Sequence, residues 1–272
     1  WTHSDDGATL PADGIPGRDE LALQWYDRYL KGERTGIERA PRVEQYRLEG
    51  SSPSHFVASS VWPLPGLHPL DLYLSGQRSG SASSLNDGTL EPRRRTDRSE
   101  DSLPYNPAGT PCTRATFQWG NEATVSNEAS STAPCEGDQR VDELQDLTYT
   151  TAPLTKPLTI DGPINLHLVA RSPQRANTTF SVTVCDVAPD GRSTAITGGW
   201  LVASLRATER SPLTMSVHGR PLRVYHPFTE ASEQQPPSTP TAYDIEIFPT
   251  FATFQPGHRL RVDIGTGQIP HV

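Results

Sequence analysis

The chain holds 272 residues, enough for one large all-β domain plus a fragment, or for two small domains. Hydrophobic residues make up 34% of it, and its 26 prolines and 21 glycines suit many turns between short strands without marking the chain as disordered. A formal charge of −8, and no apolar run near the roughly 20 residues of a membrane span, argue against nucleic-acid and membrane partners.

The sequence starts at Trp1 without a basic-then-apolar leader, as expected of a processed or truncated chain. Pro16-Gly17-Arg18-Asp19-Glu20 opens a helix over about 17–32, with acidic residues in its first turn. Leu21, Trp25 and Tyr29, and beside them Ala22, Tyr26 and Leu30, recur every four residues and make a broad apolar face. Lys31-Gly32 closes it with a basic last turn and a glycine cap. One amphipathic helix is not stable alone, so this face needs a partner surface. If it has none, self-association is expected.

Val43–Leu48 and Leu70–Leu74 are short extended pieces, separated by a rigid corner at Trp62-Pro63-Leu64-Pro65-Gly66. Residues 76–140 carry the least pattern. Ser75–Ser84 is rich in Gly and Ser, and the basic triplet Arg93-Arg94-Arg95 is offset by Asp97, Glu100 and Asp101, which reads as a solvated loop. Cys112 and Cys135 bracket a polar, Pro- and Ser-rich segment. No Cys-x-x-Cys or His-x-x-x-His pair accompanies them, so no metal is expected there, and the reading favours a disulfide in an exported protein.

The strongest signal runs from Leu158 to Arg206 and again from Tyr243 to Ile264. Ile164, Leu166 and Leu168 alternate with polar neighbours, as do Phe180, Val182 and Val184, Tyr243, Ile245 and Ile247, and Leu260, Val262 and Ile264. Side chains on a strand alternate between faces, so each run predicts one buried and one wet face, with acidic residues on the wet side. Asp161-Gly162-Pro163, Pro189-Asp190-Gly191 and Gln255-Pro256-Gly257 are expected turns. Cys185 falls within a run and reads as a small buried residue, free of any disulfide. Residues 207–240 form a second polar insertion. The chain stops at Val272 straight after a strong strand, where a further strand would be expected to close a sandwich. The fold class is mainly β, a jelly-roll β-sandwich preceded by a short α-helical tail.

Catalytic motifs are scarce. The sequence has no Gly-x-Ser-x-Gly elbow, phosphate loop, His-Glu-x-x-His or dinucleotide fingerprint. His167 and His258 read as polar-face or packing residues, and Asn177-Thr178-Thr179 fits a glycosylation sequon.

Several stretches nevertheless resemble one family in order. They are Trp1-Thr2-His3-Ser4, Trp25-Tyr26-Asp27-Arg28-Tyr29-Leu30-Lys31-Gly32, Trp62-Pro63-Leu64-Pro65, Thr150-Thr151-Ala152-Pro153-Leu154, Ile160-Asp161-Gly162-Pro163, Asp186-Val187-Ala188-Pro189-Asp190-Gly191-Arg192 and Phe254-Gln255-Pro256-Gly257-His258-Arg259-Leu260-Arg261-Val262. Their order is similar to that of the cocaine esterase and X-prolyl dipeptidyl peptidase group of α/β-hydrolases. The resemblance implies that residues 1–36 are the tail of a catalytic α/β-hydrolase domain and that 37–272 are the C-terminal jelly roll, with a galactose-binding-like topology.

It further implies that His3 is the histidine of a Ser-His-Asp triad cleaving ester, amide or X-prolyl bonds. Nucleophile and acid would lie upstream, which would leave this chain alone inactive. No cofactor is implied. The implied partners are the upstream domain and a small ester, amide or peptide substrate, with a homo-oligomer left open. The location expected is secreted or cell-envelope, otherwise cytoplasmic. Two departures stand out: no acidic pair near Asn177, and a longer insertion around Cys112–Cys135. The competing reading is a stand-alone jelly roll that binds carbohydrate or protein without catalysis. The helix at 17–32 argues against it, because a self-contained module has no use for an unpartnered aromatic helix.

Overall fold

The computed structural model describes residues 18–49, 55–62, 64–96, 99–106, 138–217 and 219–267. Helix α1 (Arg18–Leu30) lies within the predicted span. Lys31 pairs with Asp27 one turn earlier at 2.5 Å, and Gly32, at φ 75°, supplies the left-handed residue that ends the helix. Trp25 and Tyr29 pack with ring centroids 4.3 Å apart and planes tilted by 44°, yet they are 54% and 56% exposed. The aromatic face therefore stays wet among the described residues.

Strands β1 (Val43–Arg47) and β2 (His55–Ser59) form an antiparallel hairpin, with Tyr46 packed on Phe56. The other strands are β3 (Tyr73–Ser75), β4 (Gly88–Glu91), β5 (Leu147–Thr150), β6 (Leu158–Ala170), β7 (Thr179–Val187), β8 (Ser193–Val202), β9 (Met215–Val217), β10 (Arg220–Arg223), β11 (Thr241–Phe254) and β12 (Arg259–Gly265). A one-turn helix, α2 (Arg140–Glu143), precedes β5. The main sheet has the order β3-β4-β5-β12-β7-β8. It is antiparallel except where β4 meets β5.

The long antiparallel pair β6–β11 forms the opposing layer. The β1–β2 hairpin hangs on it through Leu48, whose amide and carbonyl bond the Phe251 carbonyl and the Thr253 amide at 2.9 and 2.8 Å. Phe180, Val182, Val184, Ile245, Ile247 and Leu260 meet between the layers, and Val262 packs against them partly buried. Burying each such side chain contributes about 1.5–3 kcal/mol. This is the expected mainly β jelly-roll sandwich with a helix before it.

Three expectations need correction. Asp161-Gly162-Pro163 is not a turn: β6 runs straight through it. Gly162 sits at φ 118°, facing the register shift between Ile247 and Thr250 of β11, so the triplet marks a bulge in a continuous strand. The two other turns stand as predicted, closed by Gly191 N–H to Ala188 O at 2.9 Å and His258 N–H to Gln255 O at 3.1 Å.

Second, β7 and β12 are not wet on one face. Ser181, Thr183, Cys185, Arg261 and Asp263 are all buried. They lie at the middle of the six-stranded sheet, and α2 and the loop near Ser81 cover that outer side. For the same reason acidic residues do not all sit on wet faces, since Glu143, Asp186 and Asp263 are buried. Third, the polar insertion at 207–240 carries the β9–β10 hairpin.

Candidate functional site

His3, Cys112 and Cys135 lie outside the described residues. His167 sits on the polar face of β6 against Asp244 at 2.9 Å, and His258 packs on Asp186 at 2.8 Å. Both have the polar or packing roles expected from the sequence. Asn177 of the sequon brackets Ser204, giving its amide N–H to Ser204 Oγ at 3.1 Å and receiving the Ser204 N–H at 2.9 Å.

The described residues concentrate their chemistry in one buried polar centre, on the outer side of β7 and β12. It is built from the loop inward. Asp87, at φ 51°, accepts hydrogen bonds from Ser79 Oγ at 2.5 Å and from the amides of Gly80, Ser81 and Ala82. That ties residues 79–82 into a fixed turn. A second bracket holds the same loop to β5: Thr148 N–H donates to Asn86 Oδ1 at 2.8 Å, while Asn86 and Tyr149 both donate to Asp101.

The turn presents the Ser81 carbonyl to Arg261, whose Nη2 donates to it at 2.8 Å. Arg261 also donates to Thr150 Oγ1 at 2.9 Å and to Glu143 Oε2 at 2.5 Å, and its side chain is completely buried. Cys185 donates its thiol to Asp263 Oδ2 at 3.1 Å.

Charge is unbalanced here. Arg261 bonds Glu143 and acts on Asp263, while Asp146 and Asp142 add negative charge beside them. Burial pushes the Asp146 carboxyl up to about 8, and Asp142 and Glu143 push in the same direction. Burial also raises Asp263 well above the ordinary carboxylate range; Glu143 adds to this and Arg261 opposes it. The Cys185 thiol is raised well above its usual value by burial first and then by Asp263. A buried ion pair of this kind is weak evidence for stability, since desolvation offsets the attraction. It does fix where α2 and β12 sit. Sequence reading missed this centre because Glu143 and Arg261 are far apart in the chain. The available signal was the pair Arg261 and Asp263 between the apolar residues Leu260, Val262 and Ile264.

A two-layer jelly roll with a preceding helix, whose buried polar centre holds loops in place, defines the class: a β-sandwich domain. The chain belongs to the X-Pro dipeptidyl-peptidase C-terminal non-catalytic domain family, whose model matches residues 35–272. It is 27% identical over 285 residues to the cocaine esterase of Rhodococcus sp. (strain MB1 Bresler), covering 99% of this chain and 43% of that one. Among solved structures it resembles a CocE/NonD family hydrolase from Staphylococcus aureus, with a TM-score of 0.57 and 16% identity over 93% of this chain and 39% of the other. It also resembles an aminopeptidase from a marine sediment Thaumarchaeota archaeon, with a TM-score of 0.56 and 19% identity over 97% and 40%. The structural likenesses show the fold. The chain spans 40–43% of the length of the curated relatives it matches.

Proposed function

We propose that the chain is the C-terminal part of a serine hydrolase that cleaves ester or amide bonds, acyl or X-prolyl, with a Ser-His-Asp triad. In this reading residues 1–36 end the α/β-hydrolase domain and 37–272 are the jelly roll packed against it. His3 is the triad histidine; serine and acid are supplied upstream. A serine hydroxyl is a poor nucleophile until a base takes its proton, and imidazole, with an unperturbed pKa of about 6.5, suits that transfer near neutral pH. The observation that carries the reading is the match to a non-catalytic C-terminal domain family over 35–272, preceded by a helix whose aromatic face is uncovered. Secretion, and a disulfide between Cys112 and Cys135, belong to the same reading.

In the full-length protein, His3→Ala is expected to lower kcat/KM on the best ester or X-prolyl substrate by about 10⁴-fold or more with the far-UV spectrum unchanged, because triad members act as a unit. Turnover near the wild-type rate would remove His3 from the triad.

A further inference from the structure

The polar centre holds two carboxylate oxygens with nothing bonded to them. Glu143, Cys185 and Asp263 come from α2, β7 and β12 and are 1%, 0% and 3% exposed. One ligand atom from each lies within 4.8 Å of the other two. On each carboxylate one oxygen is engaged: Glu143 Oε2 by Arg261, and Asp263 Oδ2 by the Cys185 thiol. The other oxygen of each, Glu143 Oε1 and Asp263 Oδ1, is buried without a hydrogen-bond partner. Burying an acceptor unpaired costs about 1–3 kcal/mol, and more for a charged group. Among the buried atoms left unpaired, these two are carboxylate oxygens brought together beside one thiol, where leaving an acceptor unpaired costs most.

We propose that Glu143, Cys185 and Asp263 form a buried site for a thiophilic divalent cation of the Zn²⁺ type.

The ligand set selects the class. A thiolate favours zinc and its neighbours over magnesium or calcium, which prefer all-oxygen shells. Zinc sits about 2.3 Å from sulfur and about 2.0–2.2 Å from carboxylate oxygen, so atoms already within 4.8 Å of one another need only side-chain adjustment to reach it. On binding, the Cys185 sulfur exchanges its proton for the metal and the proton leaves to solvent, so uptake strengthens as pH rises. Arg261 and Thr150 then act as the outer shell, holding Glu143 in place through its other oxygen. Because the ligands are spread over α2, β7 and β12, the ion would pin α2 to the sheet. This role is structural and independent of the triad.

The full-length protein would be unfolded in chelator and refolded with Zn²⁺ or with Co²⁺. About one more equivalent of metal is expected in the wild type than in Cys185→Ser, measured by elemental analysis. The Co²⁺ form should show a thiolate-to-cobalt charge-transfer band that survives Cys112→Ser/Cys135→Ser and disappears in Cys185→Ser. Circular dichroism checks that the variants fold. Should Cys185→Ser fail to fold, the band in the double variant decides alone. Its absence there, or equal metal content in wild type and a folded Cys185→Ser, would overturn the site and leave the triad reading untouched.

Discussion

Asp87 organises the loop that covers the polar centre, and its consequences can be measured at one residue. Burial alone would push its carboxyl up, but the Ser79 hydroxyl and the amides of Gly80, Ala82 and Ser81 outweigh that and hold it below its ordinary value. Those bonds favour the ionised form. The stabilisation is therefore present in full above the unfolded-state value of about 3.9, and is lost as acid takes the pH down through the lower folded value. Asp87→Ala leaves several loop amides without their acceptor, so a loss of about 1–3 kcal/mol near pH 7 is expected. Unfolding midpoints at pH 7 and near pH 3 check this: the gap between wild type and variant should narrow in acid. A gap that stays constant would mean the loop does not depend on the charge.

At the scale of elements, the two layers come into close backbone contact where β8 crosses β11. A Cβ on Gly199 would lie 2.0 Å from the Glu246 carbonyl oxygen and 2.9 Å from Ile247 Cα, both backbone atoms that cannot swing aside. Gly199→Ala must therefore pry the layers apart at the core, and a loss of about 1–3 kcal/mol is expected from overpacking, read as a lowered thermal midpoint. An unchanged midpoint would mean that the crossing is looser than this. Nothing in Gly198-Gly199 as a sequence announces such a crossing, and the same limit governs what else could be read beforehand. The long strands β6, β7, β11 and β12 were legible because their apolar faces meet one shared core, which writes period-two patterns into the chain. Strands β2 and β4 are short, and β4 follows a Gly/Ser-rich stretch, so pairing rather than pattern makes them strands. The buried outer faces of β7 and β12 were illegible because their cover, α2 and the Ser81 loop, comes from remote sequence. Ser181, Thr183, Arg261 and Asp263 look like solvent-facing residues until that cover is in place.

At the scale of the whole molecule, α1 is the part the jelly roll does not explain. It is tethered to the following segment by Thr35 Oγ1 donating to the Gln24 carbonyl at 3.0 Å and by Arg28 facing Glu38 at 3.6 Å. None of this covers Leu23, Trp25, Tyr26, Tyr29 or Leu30, all more than half exposed. Five large apolar side chains on one short helix form a contiguous patch of the kind that marks an interface. If the proposed hydrolase domain covers it in the full-length protein, Trp25 becomes a packed residue. Trp25→Ala should then cost about 3–5 kcal/mol there, as for a buried large-to-small change, and lower the thermal midpoint. Were the face wet in the intact protein, the same substitution would fall within about 0.5 kcal/mol of wild type, as surface changes usually do. The two outcomes are several degrees apart in a calorimetric scan. A midpoint within a degree of wild type would show that α1 does not dock on the hydrolase domain through Trp25, and the proposed division of the chain at residue 36 would lose its physical support.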